Sequence, residues 1–380
     1  MKNKINEFLI PIRHHLHQNP ELGYETQNTA KYIKNILDKL GYQTDYSLNN
    51  SCVLAKLNLN KSKTIAFRAD IDALQILEQT NLNFKSTNGC MHACGHDAHT
   101  SILLSSAKLF IENKKLLQTN IVLIFQCAEE GPLPGGAIKL LDHPFLLQVE
   151  SFFAYHVTNK QYSKHVAIKY GEACAAPDLW ELEVSGKGCH AASPHLGVNP
   201  ILIGTEIVKE FNEFYQKLLN ENKKVVITTT YFHSGVSMNI IPDKAIIKGT
   251  ARSFNTETRH LLHTTLNDIA SKIAKKYDAE ANFNFLYAYD PVFNDNNLAN
   301  LVKECANNIE NNSFITLEDN ELIGDDFSYY KKIGKTCYIW LGVRGENQEF
   351  YDLHSPYFIL DEENLYYAVL LNLQIALNYK

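Results

Sequence analysis

The sequence predicts an α/β protein: a mainly parallel sheet clothed by helices, interrupted by an inserted ferredoxin-like α+β domain. Three observations predict it. Apolar strand-sized runs alternate with amphipathic helical periods over residues 1–177. The order β-α-β-β-α-β then occupies residues 178–289. From 290 to 380 the opening rhythm returns, so 1–177 and 290–380 read as one discontinuous domain and 178–289 as a satellite.

Each element has its own warrant. "ETQNTAKYIKNILDKLGY" sets Ala30, Ile33, Leu37 and Leu40 on one helical face and stops at Gly41. "KTIAFRADIDAL" reads as a buried strand ending in acids, and "SILLSSAKLFIENKKLL" as a second amphipathic helix starting near Thr100. The strands "NIVLIFQCAEEG" and "SFFAYHV" follow. In the satellite, "LWELEVSG" alternates as a strand and "PILIGTEIVKEFNEFYQKLL" is helical. The strands "KKVVITTTYF" and "DKAIIKGTARSF", the helix "TETRHLLHTTLNDIASKIAKKY" and the strand "ANFNFLYAY" complete it. The last part holds the helix "NLANLVKECANNI", the strand "TCYIWLGV" and a terminal helix.

Composition narrows the partners. With 36 Lys+Arg against 42 Asp+Glu the formal charge is -6, and no basic block offers itself to phosphates, which argues against nucleic acid. Apolar runs such as "IVLIF" are too short to span a bilayer, and the opening "MKNKINEFLIPIRHH" lacks the apolar stretch of a signal peptide. The chain reads as cytoplasmic, with its eight cysteines kept as thiols.

Parallel sheets gather ligands at the carboxyl ends of their strands. Here those ends carry Asp70 and Asp72, Glu129 and Glu130, and His156. In "MHACGHDAH", Cys94 and His96 can address one metal cluster across the tight turn that Gly95 permits, although a buried cysteine beside an exposed histidine is the plain alternative. The pair in "AEEG" can divide into ligand and general base, or be a solvated strand end. Extended neighbours point opposite ways, so only one is a close ligand unless the strand has ended. Together Cys94, His96, Glu130, His156 and His354 offer five donors suited to a pair of transition ions.

Several segments, in order, carry a resemblance: "IRHHLHQNPELGYE", "RADIDAL", "MHACGHDAH", "AEEGPLPGGA", "GKGCHAASPH", "MNIIPDKAIIKGTARSF", "GDDFSYY" and "LHSPYF". The chain resembles the aminoacylase and carboxypeptidase family of di-metal hydrolases, in the branch of hippurate hydrolase, auxin-conjugate hydrolase and N-acetyldiaminopimelate deacetylase. The resemblance implies a di-metal catalytic domain with a satellite lid and dimerisation domain. It implies that Cys94 bridges two divalent ions, completed by His96, Glu130, His156 and His354, with Glu129 as general base. Asp70 and Asp72 would support the cluster from outside. Asp97 would orient His96 or, alternatively, cap the helix beginning near Thr100. His190 would reach a partner subunit's active site to steady the oxyanion, and Asn239 and Arg252 would grip the substrate carboxylate.

The implied reaction is metal-dependent hydrolysis of the amide of an N-acyl amino acid, with a homodimer formed through the satellite. Thiolate favours zinc, whereas carboxylate and imidazole also admit manganese, cobalt or nickel. Five positions depart from the family's usual wording: Gln75, Cys127, Cys189, Asn199 and Asp325. Cys189 matters most, because it adjoins His190. The nearest rival is a dipeptidase or carboxypeptidase of the same family, separable by a substrate panel. A cysteine hydrolase using Cys94 would ignore chelators. A non-catalytic binding protein would be expected to have lost the base or a ligand.

Overall fold

The unbroken apolar runs of the sequence become strands with no exposed face, as a sheet covered on both sides requires. A computed structural model describes residues 1–380. It divides into one unit comprising Met1–Ala173, Phe293–Asp319 and Asp326–Lys380, and a second comprising Cys174–Val292 and Asn320–Asp325. The second thus also takes in a short segment from the C-terminal third of the chain.

The first unit begins with helices α1 (Lys2–Gln18) and α2 (Gln27–Leu40), then strands β1 (Gln43–Ser47), β2 (Cys52–Leu57) and β3 (Thr64–Asp70). Helix α3 (His96–Glu112) and strands β4 (Asn120–Gln126), β5 (Ser151–Tyr162) and β6 (His165–Ile168) follow. The second unit holds β7 (Ala176–Ser185), α4 (Pro200–Asn220), β8 (Val226–Ser234), β9 (Lys244–Ser253), α5 (Thr256–Lys276) and β10 (Glu280–Leu286). The chain then rejoins the first unit as α6 (Asn296–Asn307), β11 (Ser313–Thr316), β12 (Lys335–Arg344) and α7 (Tyr366–Asn378).

Eight strands of the first unit form one sheet, in the order β1-β2-β4-β3-β5-β12-β6-β11. Its centre, β4-β3-β5-β12, is parallel throughout. Antiparallel pairs lie to either side of it. Every residue of β3 and β4 is buried. The register Arg68↔Ala154 brings His156 level with Asp70 two residues further along both strands. Asp70 in turn pairs with Gln126, so β3 and β4 finish together, whereas β5 runs on past His156 to Tyr162. His156 lies within its strand and not, as expected from the sequence, at its end.

Helix α1 was not foreseen, because Pro11 sits inside it. Its apolar face of Ile5, Leu9, Ile12 and Leu16 is buried, and Pro11 lies on the exposed side, so packing outweighs the lost backbone hydrogen bond. Helix α2 ends where the sequence indicates, with Gly41 left-handed at φ 86°. The second unit is the split β-α-β-β-α-β arrangement: an antiparallel sheet β8-β9-β7-β10 on which α4 and α5 bury a core of Trp180, Leu182, Ile207, Phe211, Ile247 and Leu266. Asn199 caps α4 by accepting the Ile201 N–H at 3.0 Å. No helix of the chain is long and apolar enough to cross a membrane.

Candidate metal centre

The candidate donors converge on Cys94. Its Sγ lies 3.4 Å from His156 Nε2 and 3.3 Å from His354 Nε2. Two donor triads, Cys94 with His96 and His156, and Cys94 with Glu130 and His354, each fall within 4.8 Å and share this one sulfur.

Local backbone puts the donors there. Gly95 adopts φ 84° as the N-cap of α3, and a Cβ on it would lie 2.3 Å from Val157 Cγ2, so a side chain is excluded twice over. The helix therefore begins at His96 rather than near Thr100. His354 is itself left-handed at φ 66°, and its N–H is held by Ala93 O at 2.9 Å. β4 ends at Gln126, and Ala128 turns the chain at φ 57°. The strand having ended, both Glu129 and Glu130 face the cluster, within 4.8 Å of His96.

The imidazoles are set as ligands. His96 Nδ1 donates to Asp72 O at 2.8 Å, which turns its Nε2 inward, buried and without a hydrogen-bond partner. His156 Nδ1 donates to Val157 O at 2.8 Å, turning its Nε2 to the sulfur. Burial, with His99 beside it, holds His156 well below its ordinary pKa and hence neutral. His99 is different: its Nε2 accepts the Val157 N–H at 2.9 Å and its Nδ1 donates to Asp70 at 2.6 Å, so no lone pair remains for an ion.

The charge balance calls for a cation. Burial opposes charge on His96, yet Asp70, Asp72 and Glu130 outweigh it and raise its pKa to about 10. Burial, with Glu130 and Glu129, pushes the Cys94 thiol well up. Such a thiol is not an activated nucleophile. A buried imidazole nitrogen without a partner, amid a thiol and carboxylates, fits divalent transition ions. Cys94, His96, Glu130, His156 and His354 are the residues that would hold them.

Support comes partly from expected residues and partly from unforeseen ones. Asp72 accepts the backbone N–H groups of Glu129 at 3.1 Å and Glu130 at 3.0 Å. Asp70 is tied to His99 and, at 2.7 Å, to Arg68. Arg68 and Gln126 both reach Asp326, which also accepts the Ala137 N–H. Gly135 permits that approach, since its Cβ would meet Asp326 Oδ2 at 2.5 Å. Lone polar residues in buried strands gave no pattern from which this network could be foreseen. Asp97 neither orients His96 nor caps the helix: the imidazole is held by Asp72 O, and Asp97 instead accepts from His17 at 2.9 Å and lies 3.1 Å from Arg13 Nε. His92 is buried, its pKa pushed down by burial to about 3.

In the second unit, His190 pairs with Ile240 in a short ladder, and Ala191 N–H donates to Asn239 O at 3.0 Å, so His190 and Asn239 are neighbours. His190 is exposed, and its Nδ1 accepts the Ala192 N–H at 3.1 Å, leaving Nε2 as the N–H donor. Cys189 turns its thiol to Ser193 O, packed over Gly197. Arg252 bonds its own surroundings: Thr250, Ala251 O at 3.1 Å and Leu322 O at 3.2 Å. Cys127 pairs with Cys52 at 2.9 Å.

A mainly parallel sheet beside which two donor triads share one thiol marks the class of the di-metal hydrolases. Residues 66–378 match the model of peptidase family M20/M25/M40, and the chain belongs to that family. It is 33% identical to thermostable carboxypeptidase 2 of Saccharolobus solfataricus, over 99% of this chain and 96% of the relative. It is likewise 33% identical to IAA-amino acid hydrolase ILR1-like 4 of Arabidopsis thaliana, over 100% and 87%. Among solved structures, a dinuclear metal-binding peptidase of the M20 family from Bacillus subtilis superposes with a TM-score of 0.86 at 30% identity, covering 99% of this chain and 98% of that one.

Proposed function

We propose that the protein is a metal-dependent amidohydrolase that cleaves the amide of N-acyl amino acids. The observation that carries this reading is the pair of donor triads sharing Cys94 Sγ, with Glu129 beside them. Likeness to an IAA-amino acid hydrolase supports the substrate class. Cys94, His96, Glu130, His156 and His354 would hold two divalent ions, zinc or manganese foremost. When bound, these ions supply a water of lowered pKa and polarisation of the acyl oxygen.

The remaining work falls to the chain. Glu129, buried and held at its backbone by Asp72, takes the proton of the attacking water and returns it to the leaving nitrogen. His190, with Nε2–H exposed, steadies the oxyanion from a second copy. Asn239 and, once released from its present bonds, Arg252 would take the substrate carboxylate. Strand β8 is a sheet edge flanked by exposed Val236, Met238 and Ile240, which supports a homodimer through this unit. A cytoplasmic location agrees with the thiol-rich composition.

Likeness to a carboxypeptidase favours a second reading, peptide cleavage by the same centre. A panel of hippurate, N-acetyl amino acids and dipeptides, run on metal-stripped protein reloaded with each ion, tests both. Turnover of dipeptides alone would replace the first reading with the second. Turnover undiminished by metal removal would overturn both.

A further inference from the structure

Strands β5 and β12 finish together, with Tyr162 paired to Arg344. Beyond them lies a second pocket, of about 420 Å³, lined by Ser163, Lys164, His165, Arg344, Glu346 and Asp361 among others. Its volume is that of a small-molecule site. Three of its polar atoms are sealed from solvent and have no partner in the protein: Ser163 Oγ, His165 Nδ1 and Arg344 Nε. Sealed atoms are out of a ligand's reach, so what the pocket offers a ligand is its charged lining, Lys164, Arg344, Glu346 and Asp361.

The frame is preformed. The Arg344 guanidinium is stacked 4.2 Å above the Tyr162 ring, and Ser163 N–H donates to Arg344 O at 2.9 Å. Lys164 O accepts the Ser313 N–H at 3.0 Å, fixing the turn from the other side. The charges are mixed. A simple anion would meet Glu346 and Asp361, and a simple cation would meet Lys164 and Arg344. A small molecule carrying both signs answers all four.

We propose that this pocket binds a free α-amino acid, its carboxylate on Arg344 and Lys164 and its ammonium on Asp361 and Glu346. The two acids stand at either end of the segment that carries His354, and Asp361 N–H is tied to Val343 O at 2.8 Å. A ligand bridging the acids to Arg344 braces that segment. The link to turnover rests on the function proposed above, because that reaction releases an amino acid; the binding itself does not.

The test is calorimetric titration of the metal-loaded protein with glycine, acetate and methylamine, repeated on Arg344→Gln and Asp361→Asn. The expected result is a glycine site whose affinity falls at least tenfold in each folded variant, with acetate and methylamine at least tenfold weaker than glycine in the parent. Should Arg344→Gln not fold, Asp361→Asn decides. Glycine binding unchanged in the variants places it elsewhere and overturns the proposal, as does acetate binding as tightly as glycine. Glycine binding with no hydrolysis in the substrate panel would sink the proposed function while leaving this site standing.

Discussion

Asp72 accepts the backbone N–H of Glu129 at 3.1 Å. The same carboxylate holds Glu130 N–H, and the Asp72 carbonyl fixes His96. A single residue, two positions past the end of β3, thus sets the base and two candidate ligands. Asp72→Ala should lower both metal affinity and kcat by about 10–100-fold, as losses of such outer supports do. Metal titration beside steady-state kinetics checks this, and parental values for both would show that the hydrogen bonds position nothing.

Glu129 and Cys94 should separate chemistry from metal loading. Glu129→Ala should retain two ions by elemental analysis yet lose about 10²–10⁴-fold in kcat, the usual range for general acid-base catalysis. Cys94→Ser should show the converse first symptom, weaker loading, because the sulfur is common to both triads. Normal turnover by the former, or two tightly held ions in the latter, contradicts the assigned roles.

Gly95 is the tightest steric point of the centre. Ala there must place a Cβ 2.3 Å from Val157 Cγ2 while keeping φ 84°. Overpacking costs about 1–3 kcal/mol and a left-handed non-glycine residue about 1–2 kcal/mol more. Gly95→Ala should therefore unfold at markedly lower denaturant and bind metal poorly, since Cys94 and His96 flank the shifted backbone. Denaturation at matched metal concentration measures it.

Much of this was legible because it is periodic or clustered. The inserted unit follows from its strand and helix order; of the five donors, Glu130 and His156 were suggested by the strands that carry them, and Cys94, His96 and His354 by the short motifs in which they stand. What was hidden depends on side chains far apart in sequence. Arg68 and Asp326 meet only after the sheet has formed, 258 residues apart. Pro11 masked α1, although Ile5, Leu9, Ile12 and Leu16 keep a helical stripe. The start of α3 was placed late because its opening residues, His96 and Asp97, are polar yet buried. Asp97 accordingly serves α1 and not His96.

The same Asp97 belongs to a buried ionic cluster that predicts how stability varies with pH. His17 bonds Asp97 at 2.9 Å and Glu78 at 3.1 Å, joining α1 to the first turn of α3. Burial alone would lower the His17 pKa, but the two carboxylates outweigh it and raise it above 6.5. Burial would raise that of Glu78, but bonds from His17, Thr80 and Ser86 N–H bring it from 4.5 down to about 2. A raised histidine stabilises the fold fully below 6.5, and this contribution is lost as pH climbs through the folded value. A depressed glutamate contributes above 4.5 and is lost as pH falls towards about 2. Both contributions are therefore whole between 4.5 and 6.5. His17→Gln should destabilise the metal-loaded protein most within that window, by on the order of 3 kcal/mol for a broken buried pair. The gap between parent and variant should narrow as the pH is raised beyond it. Urea denaturation of both proteins from pH 5 to 9 is the measurement, and a gap that stays constant across that range would mean His17 is not charged in the fold.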